Sequence, residues 1–211
     1  MSNSFFKTVP SREVVTLDVY KERPIPVILW RGDITRLSVD AIVTAANTAL
    51  GGCHSPGHCI DAAVFSAAGP ELFEACKALG GCETGDAKIT HGYRLPASYI
   101  IHTVGPVWDN LDTYATKAHK IRQLTECYTN TLDLVKEHGL YSVALCCIGT
   151  GVFGVPQELA CRVAIASVQM WLKRHQSYPV RVVFDTFTDT EHQLYHKHIP
   201  LYFTDSFHRS Q

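Results

Sequence analysis

Between Asn47 and Asp61 the chain gathers an amide, a carboxylate, two cysteines and two histidines around a glycine-rich turn. The run reads Asn47-Thr48-Ala49-Leu50-Gly51-Gly52-Cys53-His54-Ser55-Pro56-Gly57-His58-Cys59-Ile60-Asp61. Amides and carboxylates orient hydroxyls and water or move protons, and thiolate and imidazole are soft metal ligands. The run follows the short apolar stretch Ala41-Ile42-Val43 and opens onto an apolar-periodic segment. Loops of that kind, between strand and helix, are where catalytic groups tend to sit. A purely structural turn has little use for two Cys and two His packed so closely, so an active site is expected here.

A second chemical segment is Gly149-Thr150-Gly151-Val152-Phe153-Gly154, set between a continuous apolar run and a helical one. Glycines there free the backbone to turn its amides toward an anion, and a following helix N-terminus adds positive dipole. Formally this is a GxGxxG, but the acid that a dinucleotide fold places about 20 residues later to hold a ribose is missing. No Lys-Ser/Thr pair follows, so it is not a P-loop either. The bland alternative is a tight strand-to-helix turn; phosphate binding is the favoured reading.

Elements that could position both segments alternate along the chain. Strands are expected at Ile25–Trp30, Asp40–Thr44, Ala87–Thr90, Tyr99–Val104, Val143–Ile148 and Val180–Phe184. Val143–Ile148 is a continuous apolar run of the kind buried on both faces. Helical stripes are expected from Ile60, broken by Gly69-Pro70 and resumed through Leu72 to Leu79. Others run through Ile121, Leu124, Tyr128, Leu132 and Val135, from about Gln157 to Arg174, and briefly around Glu191 to His196. Such alternation implies an α/β fold with a mainly parallel sheet and helices on both faces. Residues 1–25 read as an N-terminal extension or edge element, 26–203 as one domain and 204–211 as a tail.

With 19 Lys and Arg against 20 Asp and Glu, the formal net charge is −1, which argues against broad binding to nucleic acid or anionic membrane. Any anion must be caught locally. No secretory pattern opens the chain, and no apolar run approaches membrane-spanning length. Eight cysteines without such a leader read as reduced thiols or metal ligands. An intracellular monomer, cytoplasmic or nuclear, is expected.

Several separated segments together resemble the macrodomain family, of the MacroD type. They are Gly32-Asp33-Ile34-Thr35 with Val39-Asp40-Ala41-Ile42-Val43; Ala45-Ala46-Asn47 with its glycine-rich loop; Tyr93-Arg94-Leu95-Pro96 with Ile101-His102-Thr103-Val104-Gly105-Pro106; Gly149 to Gly154; and Ile199-Pro200-Leu201-Tyr202-Phe203. The resemblance spans roughly residues 26–203, with the motifs in order. It implies a three-layer α/β/α macrodomain with a mainly parallel mixed central sheet that binds ADP-ribose; many members remove ADP-ribose from modified proteins or hydrolyse O-acetyl-ADP-ribose. By the same resemblance, Asp33 accepts the adenine amino group, Ile34 lines the adenine pocket, Phe187 stacks on the base, Asn47 holds the distal ribose and Gly149–Gly154 wraps the diphosphate. Asp33 as a turn cap and Phe187 as a core residue are the plain alternatives.

The chain departs from the family pattern in three places. Thr44 stands where an Asn is common, Cys53 to Cys59 replaces a run of glycines, and Phe65 stands where many MacroD members carry a His. A subset of macrodomains is similar in this loop, with a Cys-x4-His-x-Cys zinc motif. Cys53 and His58 keep its first spacing, and Cys59 falls one residue short. Zn held by Cys53, His58 and Cys59 is therefore expected, with His54 as a substitute for His58; three ligands and an open position suit catalysis. Unligated reactive thiols or an oxidation-prone Cys53/Cys59 pair are the alternatives.

The reading that follows is an ADP-ribosyl-protein hydrolase acting on mono-ADP-ribosylated acidic side chains, with Asn47 and Asp61 as its catalytic residues. Asp61 would orient or deprotonate the attacking water; the alternative is an acid favoured by a helix N-terminus. Its rivals are a reader module that binds ADP-ribose without turnover and a structural-zinc interaction domain.

Overall fold

The computed structural model describes residues 18–22, 25–53 and 59–203. Seven strands form one sheet: β1 Asp18–Glu22, β2 Ile25–Arg31, β3 Ala41–Ala45, β4 Ala87–His91, β5 Tyr99–Thr103, β6 Ser142–Leu145 and β7 Arg181–Thr186. Their order is β1-β2-β7-β6-β3-β5-β4. β2, β7, β6, β3 and β5 run parallel, while β1 and β4 pair antiparallel at the two edges. The central strands carry Leu29, Val43, Val143, Ala144, Val182 and Val183, all fully buried, as parallel strands covered on both faces require.

Five helices cover the sheet: α1 Ile60–Ala68, α2 Glu71–Ala78, α3 Tyr114–Glu137, α4 Gln157–Arg174 and α5 Asp189–Tyr202. Phe184 of β7 packs on Tyr195 of α5, whereas Thr44 of β3 meets Asp61 of α1. Phe184 is in register with Leu145, and Thr44 is one residue beyond Val43 along β3, so these two contacts lie on opposite faces. The result is the expected three-layer arrangement, with α1 and α2 on one side and α3, α4 and α5 on the other.

Boundaries differ from the sequence expectation where local chemistry outweighs periodicity. β6 stops at Leu145, because Cys146–Ile148 leave the sheet to enter the glycine turn. α3 starts at Tyr114, two polar turns ahead of its apolar stripe, with Thr113 Oγ1 accepting from the Thr116 amide at 3.2 Å as N-cap. α5 runs on to Tyr202 from a capping box made by Thr188 and Glu191. Asp18–Glu22 forms an edge strand on β2, in keeping with the edge-element reading of residues 1–25.

Candidate active site

Every segment singled out for chemistry emerges from the carboxyl end of a parallel strand. Asp33 and Ile34 follow β2, Phe187 follows β7, Gly149–Gly154 follows β6, and Asn47 follows β3. These four strands are consecutive neighbours in the sheet. With strands about 4.8 Å apart, the line from Asp33 to Asn47 is about 14 Å long, a row suited to an elongated ligand lying across the strand ends.

At the β2–β7 end, Asp33 caps the short 3-10 turn Ile34–Arg36. Its Oδ1 accepts from the Thr35 amide at 3.0 Å and the Thr35 hydroxyl at 2.7 Å. The turn-cap reading is thus fulfilled, yet Asp33 is exposed and Oδ2 makes no hydrogen bond to the described residues, so a ligand donor can still be accepted. Ile34 is buried beneath it. Gly32 is required here, because a Cβ would come within 2.5 Å of the Trp30 ring. Phe187 is 66% exposed, so it is not a core residue and offers a free aromatic face.

Two carboxyl groups at this end were not foreseen from the sequence. Asp185, the register partner of Trp30, is 5% exposed, and its Oδ1 has no partner among the described residues. Burial, then the negative charges of Glu191 and Asp33, push its carboxyl well above the usual range. Glu191 ties two parts of the site together: Oε2 accepts from the Phe187 amide at 3.1 Å, and Oε1 lies 3.3 Å from Thr150 Oγ1. Only the capping pattern Thr188-x-x-Glu191 could have pointed to it.

The glycine segment forms a closed loop. Val155 N donates to Gly149 O and Gly154 N to Gly151 O, each at 3.0 Å, while Trp108 N donates to Phe153 O at 2.7 Å from the neighbouring β5–α3 connection. Gly149 has φ +80°, and a Cβ there would lie 2.9 Å from Val155 Cγ2. The amides of Gly151, Val152 and Phe153 make no hydrogen bond to the described residues, which leaves three backbone donors in this loop available to an anion.

At the β3 end, Asn47 staples its own loop. Nδ2 donates to Gly52 O at 2.9 Å, and Oδ1 accepts from Gly51 N at 3.3 Å. One further N–H and one lone pair stay available. Asp61, in the first turn of α1, is 1% exposed. Thr44 Oγ1 donates to its Oδ1 at 3.0 Å, and Oδ2 has no partner among the described residues. Burial raises the Asp61 carboxyl from 3.8 to about 6, with the Thr44 hydrogen bond pulling the other way. A carboxyl poised there can take a proton near neutral pH. Thr44, in the sequence only a departure from a family pattern, is therefore the partner that holds Asp61.

Phe65 stacks edge-on to His102 with ring centroids 6.5 Å apart. Of the proposed metal ligands, Cys53 and Cys59 come together: burial, then the Cys53 thiol beside it, pushes the Cys59 thiol up. His54 and His58 lie outside the described residues, and among the described residues no group of three or more His, Cys, Asp or Glu side chains could hold a metal ion. All eight cysteines are free thiols.

Comparison with known proteins gives this geometry a context. The Macro domain family matches residues 43–164. ADP-ribose glycohydrolase MACROD1 of Mus musculus is 47% identical over 175 residues, covering 83% of this chain and 52% of that protein. A macro domain-containing protein of Chlorobaculum tepidum is 46% identical over 167 residues, covering 79% of this chain and 91% of its own length. This chain thus spans about half of the mouse protein and most of the bacterial one. Among solved structures, the Trypanosoma brucei macrodomain in complex with ADP-ribose superposes with a TM-score of 0.72 at 37% identity, covering 81% of this chain and 68% of that one.

Proposed function

Because the chain belongs to the macro domain family, we propose that it binds ADP-ribose across the carboxyl ends of β2, β7, β6 and β3 and hydrolyses it from modified acidic side chains of proteins. The observation that carries this reading is the buried Asp61, held by Thr44 of β3, the strand that leads into Asn47 at one end of a four-strand row. The name of the mouse relative and the ligand of the Trypanosoma brucei structure support it.

In this reading Asp33 Oδ2 accepts the adenine amino group, Ile34 lines the base and Phe187 stacks on it. The free amides of Gly151, Val152 and Phe153 take the diphosphate, and Asn47 uses its remaining N–H and lone pair on the distal ribose. Water attacks the anomeric carbon, the bond to the carboxylate oxygen of the modified residue breaks, and Asp61 takes the proton from the water. Cys53 and Cys59, with His58 or His54, would hold a zinc ion; two touching thiols fit a shared soft cation, which supplies Lewis-acid polarisation of ribose oxygens when bound. One zinc per chain in wild-type protein, lost in Cys53→Ser, supports that set; zinc-supplemented protein that carries none overturns it.

The test of function is ADP-ribose release from a protein mono-ADP-ribosylated on Glu or Asp. Release by wild type is expected. Asp61→Ala is expected to abolish it while ADP-ribose affinity stays within about tenfold, ~1.4 kcal/mol. Binding without release would leave a reader, and equal loss of both in Asp61→Ala would reassign Asp61 to binding or folding.

A further inference from the structure

Five buried side-chain nitrogen or oxygen atoms lack a hydrogen-bond partner among the described residues: Trp30 Nε1, Asp61 Oδ2, His102 Nδ1, Thr131 Oγ1 and Asp185 Oδ1. Two of these complement each other. Thr44 and His102 are register partners on the adjacent parallel strands β3 and β5. Their side chains stand on one face, with backbones about 4.8 Å apart. Thr44 in turn holds Asp61 Oδ1 at 3.0 Å. The unpartnered Asp61 oxygen and the unpartnered His102 nitrogen therefore belong to one buried layer under α1, with the His102 ring capped by Phe65.

Of the two ring nitrogens, Nε2 is the one with partners. The Thr90 hydroxyl lies 2.9 Å from Nε2, and the Cys76 thiol lies 3.7 Å from the same nitrogen. Burial pushes the Cys76 thiol up to about 11, so it stays a protonated thiol. Hydroxyl and thiol can each donate or accept, so they satisfy Nε2 in either tautomer and leave Nδ1 as the ring atom still to be paired. His102 is fully buried, so Nδ1 is a polar atom without a partner among the described residues, in the same layer as a carboxylate oxygen without one. An unpaired polar atom in the interior is costly, and one buried water, which can donate to both or accept from one, satisfies both.

We propose that His102 is a positioning residue for Asp61, holding the Asp61 carboxylate through one buried water between His102 Nδ1 and Asp61 Oδ2. Thr44 fixes one carboxylate oxygen and the His102 water the other, so the carboxylate plane cannot rotate. This role rests on the hydrolase reading of Asp61 given above.

The test compares His102→Asn, His102→Gln and His102→Phe for release of ADP-ribose from modified protein, with ADP-ribose affinity measured separately. The Asn amide nitrogen falls near the position of Nδ1 and the Gln amide nitrogen near that of Nε2. His102→Asn is expected to keep kcat within about threefold of wild type. His102→Gln and His102→Phe are expected to lose about tenfold or more in kcat with KM and ADP-ribose affinity unchanged, on the order of one charge-assisted hydrogen bond. Thr90→Val, which removes the 2.9 Å partner that orients the ring from Nε2, is expected to give an intermediate loss and covers the case in which His102→Phe does not fold. A crystal structure is expected to show a water about 2.7–3.2 Å from both atoms. Equal kcat in Asn and Gln variants, a parallel fall of kcat and affinity, or a direct contact without water would overturn the proposal. Wild-type protein that binds ADP-ribose without releasing it would instead overturn the hydrolase reading.

Discussion

Replacing Asp61 with Asn is expected to stabilise the fold at neutral pH while removing turnover. The carboxyl is 1% exposed, has one hydrogen bond from Thr44, and is raised by burial from 3.8 to about 6. A raised carboxyl lowers stability as it ionises. Below pH 3.8 the group is protonated in both folded and unfolded chains and costs nothing. Between 3.8 and about 6 the unfolded chain releases its proton first, so stability falls as pH rises through this window and levels off above it. The full gap corresponds to about 3 kcal/mol at pH 7.5 and about half of that near pH 5. Asn keeps the shape and the oxygen facing Thr44 but leaves an amide N–H to satisfy, so the net gain expected at pH 7.5 is about 1–3 kcal/mol. Over a chain of this size that raises Tm by roughly 2–10 °C. Thermal or urea unfolding of wild type and variant at pH 5 and pH 7.5 reads it directly. A gain that is larger at pH 5 than at 7.5, or a variant less stable than wild type at 7.5, would refute the account of Asp61 as a desolvated acid.

Further expectations follow from other contacts. Thr44→Val removes the only described donor to Asp61, worth about 1.5–3 kcal/mol to its ionised form, so the acid limb of the pH–rate profile moves up by about one to two pH units. An unmoved limb counts against Asp61 as the group that takes the proton. Phe187→Ala should leave unfolding within about 0.5 kcal/mol of wild type, because the ring is mostly exposed, while ADP-ribose affinity falls by about 1–3 kcal/mol in calorimetry. Gly149→Ala forces a side chain into φ +80° and against Val155, at about 1–2 kcal/mol of strain. Its ADP-ribose affinity should fall more than tenfold, and unchanged affinity would remove the glycine loop from the binding site.

The sequence made the element types legible because its apolar periods agree with the fold: continuous runs such as Val143-Ala144-Leu145 belong to doubly covered strands, and the stripe from Leu124 to Val135 faces the core. It also made legible the segments that hold chemistry, since glycines, amides and carboxylates clustered at strand ends have a narrow set of uses. Element ends were less legible. Capping by Thr113 and Thr188 starts α3 and α5 at positions that the apolar pattern does not mark, and β6 ends where its carbonyls turn into the glycine loop. The zinc set stays divided, with Cys53 and Cys59 brought into contact and His58 outside the described residues.

What the residues determined alone is local: which loops carry an amide, a carboxylate, thiols or free backbone donors, and that strands and helices alternate around them. Strand order was decided only by tertiary structure, because it depends on which apolar faces pack together across distant stretches of chain. That order puts β2, β7, β6 and β3 side by side and so lines up Asp33, Phe187, Gly149–Gly154 and Asn47 in one row. Burial is likewise a property of the packed whole. Asp61 is an ordinary acid in the sequence, and Thr44 and His102 are ordinary strand residues, until the register of β3 and β5 and the docking of α1 bury all three in one layer.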